Sequence, residues 1–243
     1  ANIMLEMLYF AMMQSVTPAE ASLLIRIAIP ISLGLGMVLF GRRPRVLSWL
    51  GAVIVLAGIG LLISRLDPAR QWPGVALSVL VALCFVGRGF ASEAHPSNRS
   101  ARTLKEKLRV TGLVTLVTAL GGWLLVGSAM VAVDVGVLAP TLLLPKPADL
   151  LHPPTLWLAL FVGGTVFTAL NYLSFSAVLK IGTENFIAAS AFMPPATYLM
   201  QLAAAELGLV AAAPFDAGLL PAMALAVVGV FVIVAASRRS AAA

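Results

Sequence analysis

Residues 19–64 read AEASLLIRIAIPISLGLGMVLFGRRPRVLSWLGAVIVLAGIGLLIS, two long apolar runs around a short basic loop, Gly41-Arg42-Arg43-Pro44-Arg45. Each run is about twenty residues, enough to cross a hydrocarbon layer of ~30 Å at ~1.5 Å per residue. Inside lipid every backbone amide must be bonded within the protein, so such runs fold as a helix bundle or a closed barrel. The alternating short segments of a barrel are absent. The expected fold is therefore all-α, a polytopic transmembrane helix bundle.

The same pattern continues along the chain. Seven full spans are expected at residues 19–40, 46–64, 73–90, 110–133, 155–179, 184–206 and 218–236, after a partial N-terminal helix at residues 4–13. Between the first two elements, Thr17 is an expected N-cap, with Pro18 at the first helical position and Glu20 three residues on. Residues 91–109 form the longest polar connection, and residues 134–154 a loop with five prolines. Residues 1–14 carry Glu6 and no basic segment, so they read as the last part of a membrane helix rather than as a signal peptide.

Composition closes off other classes. Only 11% of the residues are charged and 60% are hydrophobic, against ~25% charged in a soluble domain. The net charge of +6 would suggest nucleic acid in a soluble protein. Here the basic residues sit in short loops, with no basic groove and aromatic platforms, so no nucleic-acid partner is expected. Cys84 is the single cysteine and lies in an apolar run, while His95 and His152 lie in separate loops. No metal site and no cofactor are expected.

The basic residues also orient the chain. Arg42, Arg43, Arg45, Arg99, Arg102, Lys105, Lys107, Arg109, Lys180, Arg238 and Arg239 fall on one side, and Arg65, Arg70 and Lys146 on the other. That bias makes the first side cytoplasmic. A multi-pass protein of the plasma (inner) membrane with a cytoplasmic C-terminus is expected, with the lipid bilayer itself as a partner.

The hairpin recurs. A shift of 165 places Phe10 on Phe175 and Pro30 on Pro195, and a shift of 171 places Gly51 on Ala222 and Gly58 on Gly229. Residues 1–66 thus read as the remnant of a first repeat, and residues 73–240 as a second, five-helix repeat. Counting connections within the chain places equivalent elements in the same orientation; complete five-helix units would invert them. Transporters are often built from inverted repeats with the substrate site between them, near mid-membrane.

Ala21-Ser22-Leu23-Leu24 to Pro30, Gly41-Arg42-Arg43-Pro44, and Gly51 with Ala57-Gly58-Ile59-Gly60 recur as residues 188–195, Glu206-Leu207-Gly208 and Val228-Gly229-Val230. In these residues the chain resembles the EamA family of the drug/metabolite transporter superfamily. The resemblance implies ten helices in two inverted five-helix repeats with both ends cytoplasmic. On that template the chain holds the end of the third helix and helices four to ten. One departure is Arg42, which stands where the family's loop motif usually carries an acidic residue.

Candidate substrate-binding residues are polar or helix-bending positions within spans. Ser22, Arg26 and Pro30 share one face at intervals of four. A lipid-buried arginine costs roughly 2.5–3.5 kcal/mol on insertion scales, so Arg26 should face a cavity or a partner. It either attracts an anionic substrate group, snorkels outward, or pairs with Glu6 or Glu20. Pro30, Pro194 and Pro195 are hinges or static kinks. Thr168, Asn171 and Tyr172 on one span, and Ser190, Pro194, Thr197 and Gln201 on the next, line a cavity or bond between helices. The small residues at Gly51, Gly58, Ala222 and Gly229 are close-packing positions and could build a homodimer face.

No motif of a hydrolase, metalloprotease or nucleotide-driven enzyme is present, and every Asp lies in a loop. The expectation is a non-enzymatic secondary transporter, exporting small metabolites or amino acids by alternating access. The alternative is a non-transporting membrane scaffold or accessory subunit.

Overall fold

The computed structural model describes residues 2–139, 144, 152–208 and 216–241. Among them the chain is helical, with no strand. In chain order the helices are α1 (Asn2–Met12), α2 (Pro18–Leu24), α3 (Ala28–Phe40), α4 (Val46–Ile63), α5 (Pro68–Ala94), α6 (Pro96–Ser100), α7 (Leu104–Asp134), α8 (Pro153–Leu158), α9 (Thr168–Ile181), α10 (Thr183–Ala189), α11 (Met193–Glu206) and α12 (Leu219–Ala241). Single 3₁₀ turns at Ile25–Ile27 and Ser190–Phe192 join α2 to α3 and α10 to α11, and a π-helical stretch, Ala159–Phe167, joins α8 to α9.

Six helical segments of the described residues are long and apolar enough to cross a membrane. They correspond to six of the seven expected spans. The remaining one, expected at residues 184–206, is helical along its length, but its prolines and its Ser, Thr, Tyr and Gln side chains make it less apolar. The protein is an all-α, multi-pass membrane protein. Much of the proline-rich connection at residues 134–154, and most of the loop before α12, lie outside the described residues.

Local sequence chemistry sets the boundaries. Thr17 caps α2 as expected: its hydroxyl accepts from the Glu20 amide at 3.3 Å, and the Glu20 carboxylate accepts from the Thr17 amide at 2.7 Å. A second capping box, Thr103 with Glu106, starts α7 at Leu104. The helix therefore begins six residues before the span expected at residue 110. The polar connection before it is in part helical, as the end of α5 and as α6. At the other end of the first hairpin, α3 stops at Gly41, whose φ of +60° is the left-handed conformation that glycine adopts without strain.

The chain packs as two compact units, one of Ile3–Arg88 with Gly182–Ala243, the other of Gly89–Ile181. In the second unit α9 packs on α7 and α6. Leu113, Leu116, Val117, Leu120, Trp123 and Leu124 of α7 are exposed, the surface of a helix meant for lipid.

The first unit holds the opening hairpin and the helices that repeat it, α10 to α12. Its principal contact is between α4 and α12. A Cβ built on Gly51 would stand 2.4 Å from the Gly229 carbonyl oxygen, one on Gly229 2.5 Å from that of Gly51, and one on Gly58 2.7 Å from that of Ala222. Backbone thus meets backbone at small residues, the packing that works between helices where lipid offers no hydrophobic gain.

The pairing also fixes orientation. Gly51 meets Gly229, the repeat counterpart of Gly58, while Gly58 meets Ala222, the counterpart of Gly51. Position rises on one helix as it falls on the other, so α4 and α12 are antiparallel and the contact is reciprocal. Equivalent elements are inverted, as complete five-helix units require. The expectation of a common orientation is overturned, because equivalent helices stand five places apart in the order of spans, with four spans between them, and an odd step reverses direction. These small residues pack against one another within the chain.

Substitution should follow this geometry. Gly229→Ala forces a methyl into the Gly51 carbonyl and is expected to cost about 1–3 kcal/mol. Gly60→Ala, with nothing within 4 Å, should be neutral or slightly stabilising. Thermal midpoints of the two detergent-purified variants check the contrast.

Candidate functional site

The site grows from two broken helices. Pro30 cannot donate to the carbonyl of Arg26, four residues back, and its ring crowds that carbonyl. The helix accordingly opens into the 3₁₀ turn Ile25–Ile27. Pro194 and Pro195 act in the same way on Ser190 and Ala191, and the second break is Ser190–Phe192. A shift of 165 carries the first break onto the second, so the two repeats bend at one equivalent place. The α2 helix packs against α11, and α10 against α3, which puts the breaks in one core.

Arg26 lies in the first break and is 3% exposed. Its Nε donates to the Ser22 carbonyl at 2.9 Å, and its Nη1 donates to the Ser190 hydroxyl in the second break. Ser190 in turn donates to the Ile187 carbonyl at 2.7 Å. The guanidinium therefore ties one repeat to the other through a neutral hydroxyl. No carboxylate pairs with it among the described residues. Glu20 is occupied by the capping box and by Gln71 Nε2 at 3.4 Å. Glu6 lies in the field of Arg88. Outward snorkelling is excluded by the burial of Arg26. Tyr9 is within its electrostatic reach.

The other candidates fall into two groups. Ser22, Arg26, Pro30, Ser190, Pro194, Thr197 and Gln201 all belong to the first unit, on α2, α3, α11 and the two breaks. Ser22 and Pro194 are buried; Pro30, Ser190, Thr197 and Gln201 are half-buried. The Gln201 side-chain oxygen is buried and accepts no hydrogen bond among the described residues. Thr168, Asn171 and Tyr172 are half-buried on α9, in the second unit.

Sequence reasoning passed over two clusters. Arg42 Nη1 lies 3.2 Å from Glu184 Oε2, pairing the basic loop with the start of α10. Tyr198 joins Asp216, its hydroxyl accepting from the Asp216 amide at 2.9 Å and donating to the carbonyl at 3.2 Å, while Arg65 approaches the Asp216 carboxylate at 3.8 Å. The shared side of Arg42 and Lys180 was the signal that could have brought residues 42 and 184 together.

Residues 2–64 match the model of the EamA-like transporter family. The match bears out the resemblance over the segment that contains Arg26, Pro30, the basic loop and Gly51. The family so matched is one of membrane transporters. Neither a curated protein nor a solved structure matches the chain.

An uncompensated buried charge has a measurable signature. Arg26→Met removes the charge and nearly preserves length, and should leave stability unchanged or raise it by up to ~4 kcal/mol. Ser190→Ala leaves a buried guanidinium donor without its acceptor and should cost about 1–3 kcal/mol. In the double variant most of that cost should vanish. A double-mutant cycle on thermal midpoints reads the coupling.

Proposed function

We propose that the protein is a secondary transporter of small metabolites or amino acids that carry an anionic group, exporting them by alternating access. The observation that carries this reading is Arg26: a buried guanidinium between two proline-broken helices, hydrogen-bonded across the repeats and paired with no carboxylate among the described residues. A charge held at such cost in a membrane protein is suited to a ligand of opposite sign. A substrate carboxylate can take the guanidinium donors that Ser22 and Ser190 do not use.

In this mechanism Arg26 holds the anionic group, and Ser22 and Ser190 orient the guanidinium. Thr197 and Gln201 offer neutral hydrogen bonds along the face of α11, and Thr168, Asn171 and Tyr172 offer polar groups on α9 within the second unit. Pro30, Pro194 and Pro195 supply equivalent bends about which the two repeats, residues 1–66 and 73–240, change access. The basic loop and the C-terminus face the cytoplasm of the cell across the plasma (inner) membrane, as the distribution of Arg and Lys supports.

Proteoliposomes loaded with a panel of carboxylate-bearing, neutral and cationic metabolites test this. Flux should be confined to the anionic members. Arg26→Ala should reduce it at least tenfold, the effect of losing one charge-assisted hydrogen bond or more. Arg26→Lys, which keeps the charge without the fork, should retain part of it. Undiminished flux in Arg26→Ala would remove Arg26 from the mechanism.

A further inference from the structure

The basic loop closes over a cavity that Arg26 does not line. Its volume is about 170 Å³, and its walls include Arg42, Arg43 and Arg45 of the loop, Ser48 of α4, and Glu184 and Asn185 of α10. At ~30 Å³ per water it has room for about five waters, enough for a phosphate group. Three guanidiniums face one carboxylate, so the lining carries a surplus of positive charge.

The carboxylate is held in a defined seat. One Glu184 oxygen is 3.2 Å from Arg42 Nη1, and the other lies 1.8 Å from where a Cβ on Gly36 would stand. Only a glycine at position 36 leaves space for it there. Arg45 is anchored from the far side, its Nη1 donating to the Ala236 carbonyl of α12 at 3.3 Å. Arg43 is exposed and makes no hydrogen bond or ion pair among the described residues. One arginine is thus engaged by an internal anion, one is tethered to a backbone carbonyl, and one stands ready at the mouth.

We propose that this cavity is a second anion site, one that takes a phosphate group from a lipid headgroup or from free phosphate, with Glu184 as its built-in competitor for Arg42. Arginine is suited to the task because its planar fork matches the oxygens of phosphate. A phosphate offers more acceptor oxygens than the single Glu184 oxygen now paired with Arg42. Its entry loosens the ion pair that joins the basic loop to α10, and removal of the Glu184 charge favours it.

The test uses the whole chain and two probes. Inorganic phosphate is titrated calorimetrically into detergent-purified protein, and thermal midpoints are compared in nanodiscs of phosphatidylcholine with and without phosphatidylglycerol. Wild type, Glu184→Gln and Arg43→Ala are measured in both arms. Neither substitution alters side-chain packing much, since Gln has the shape of Glu and Arg43 is exposed. In whichever arm responds, E184Q should bind about tenfold tighter and R43A about tenfold weaker. A response to inorganic phosphate identifies free phosphate as the source. A response to phosphatidylglycerol alone identifies the headgroup. Silence of wild type and E184Q in both arms overturns the site, as does a response that the two substitutions leave unchanged. Loss of stability in E184Q without any gain in affinity assigns Glu184 a purely structural role and overturns the competition.

Discussion

The approach of two helix backbones at Gly51 and Gly229 is the contact on which the first unit depends. Lipid supplies no hydrophobic gain when helices meet, so the attraction is van der Waals contact between backbones, and only small residues permit it. With α4 and α12 held antiparallel, the remaining pairs are constrained as well. The α2 helix lies on α11 and α3 on α10, and the two proline breaks share one core. Arg26 meets Ser190, and Arg42 meets Glu184, because a rotation that exchanges the repeats also exchanges these faces.

That arrangement gives the unit two charged places with opposite characters. At Arg26 the charge is buried and satisfied only by a carbonyl and a hydroxyl. At the basic loop it is partly solvated and already engaged by a carboxylate. Desolvation strengthens any ion pair formed in the first place, whereas competition with Glu184 governs the second. The difference follows from backbone chemistry. A proline break exposes carbonyls and a bend in mid-span, while a glycine-terminated helix opens to the interface.

How much of this was legible in the sequence depends on the range of each interaction. The capping box at Thr17 and the breaks near Pro30 and Pro195 are local, and the residue types dictate them. The small-residue positions were visible as a repeat, but not what they touch. The capping box at Thr103 was within reach by the same rule as Thr17, yet the polar run from Ala91 to Arg109 masked it. Arg26 aligns with Ala191 and so has no counterpart by register. Its partner is the neighbouring residue, Ser190, because a 3₁₀ turn rotates successive side chains by more than an α-helix does. Glu184 went unread although the charge count sets it at the same end of the bundle as Arg42, because sidedness does not say which residues of one end touch.

The reciprocal contact of Gly51 with Gly229 and of Gly58 with Ala222 binds the history of the two halves together. A duplicated unit whose copies packed through separate surfaces could drift apart one copy at a time. Here each copy's small-residue face is the complement of the other's, and an enlargement on one side finds its clash on the other. Ala222, where the first repeat has Gly51, shows how far the copies have diverged at this seam: one methyl. Equivalent positions such as Arg26 and Ala191 carry no such bond, so a single sequence keeps a nearly symmetric frame and an asymmetric interior.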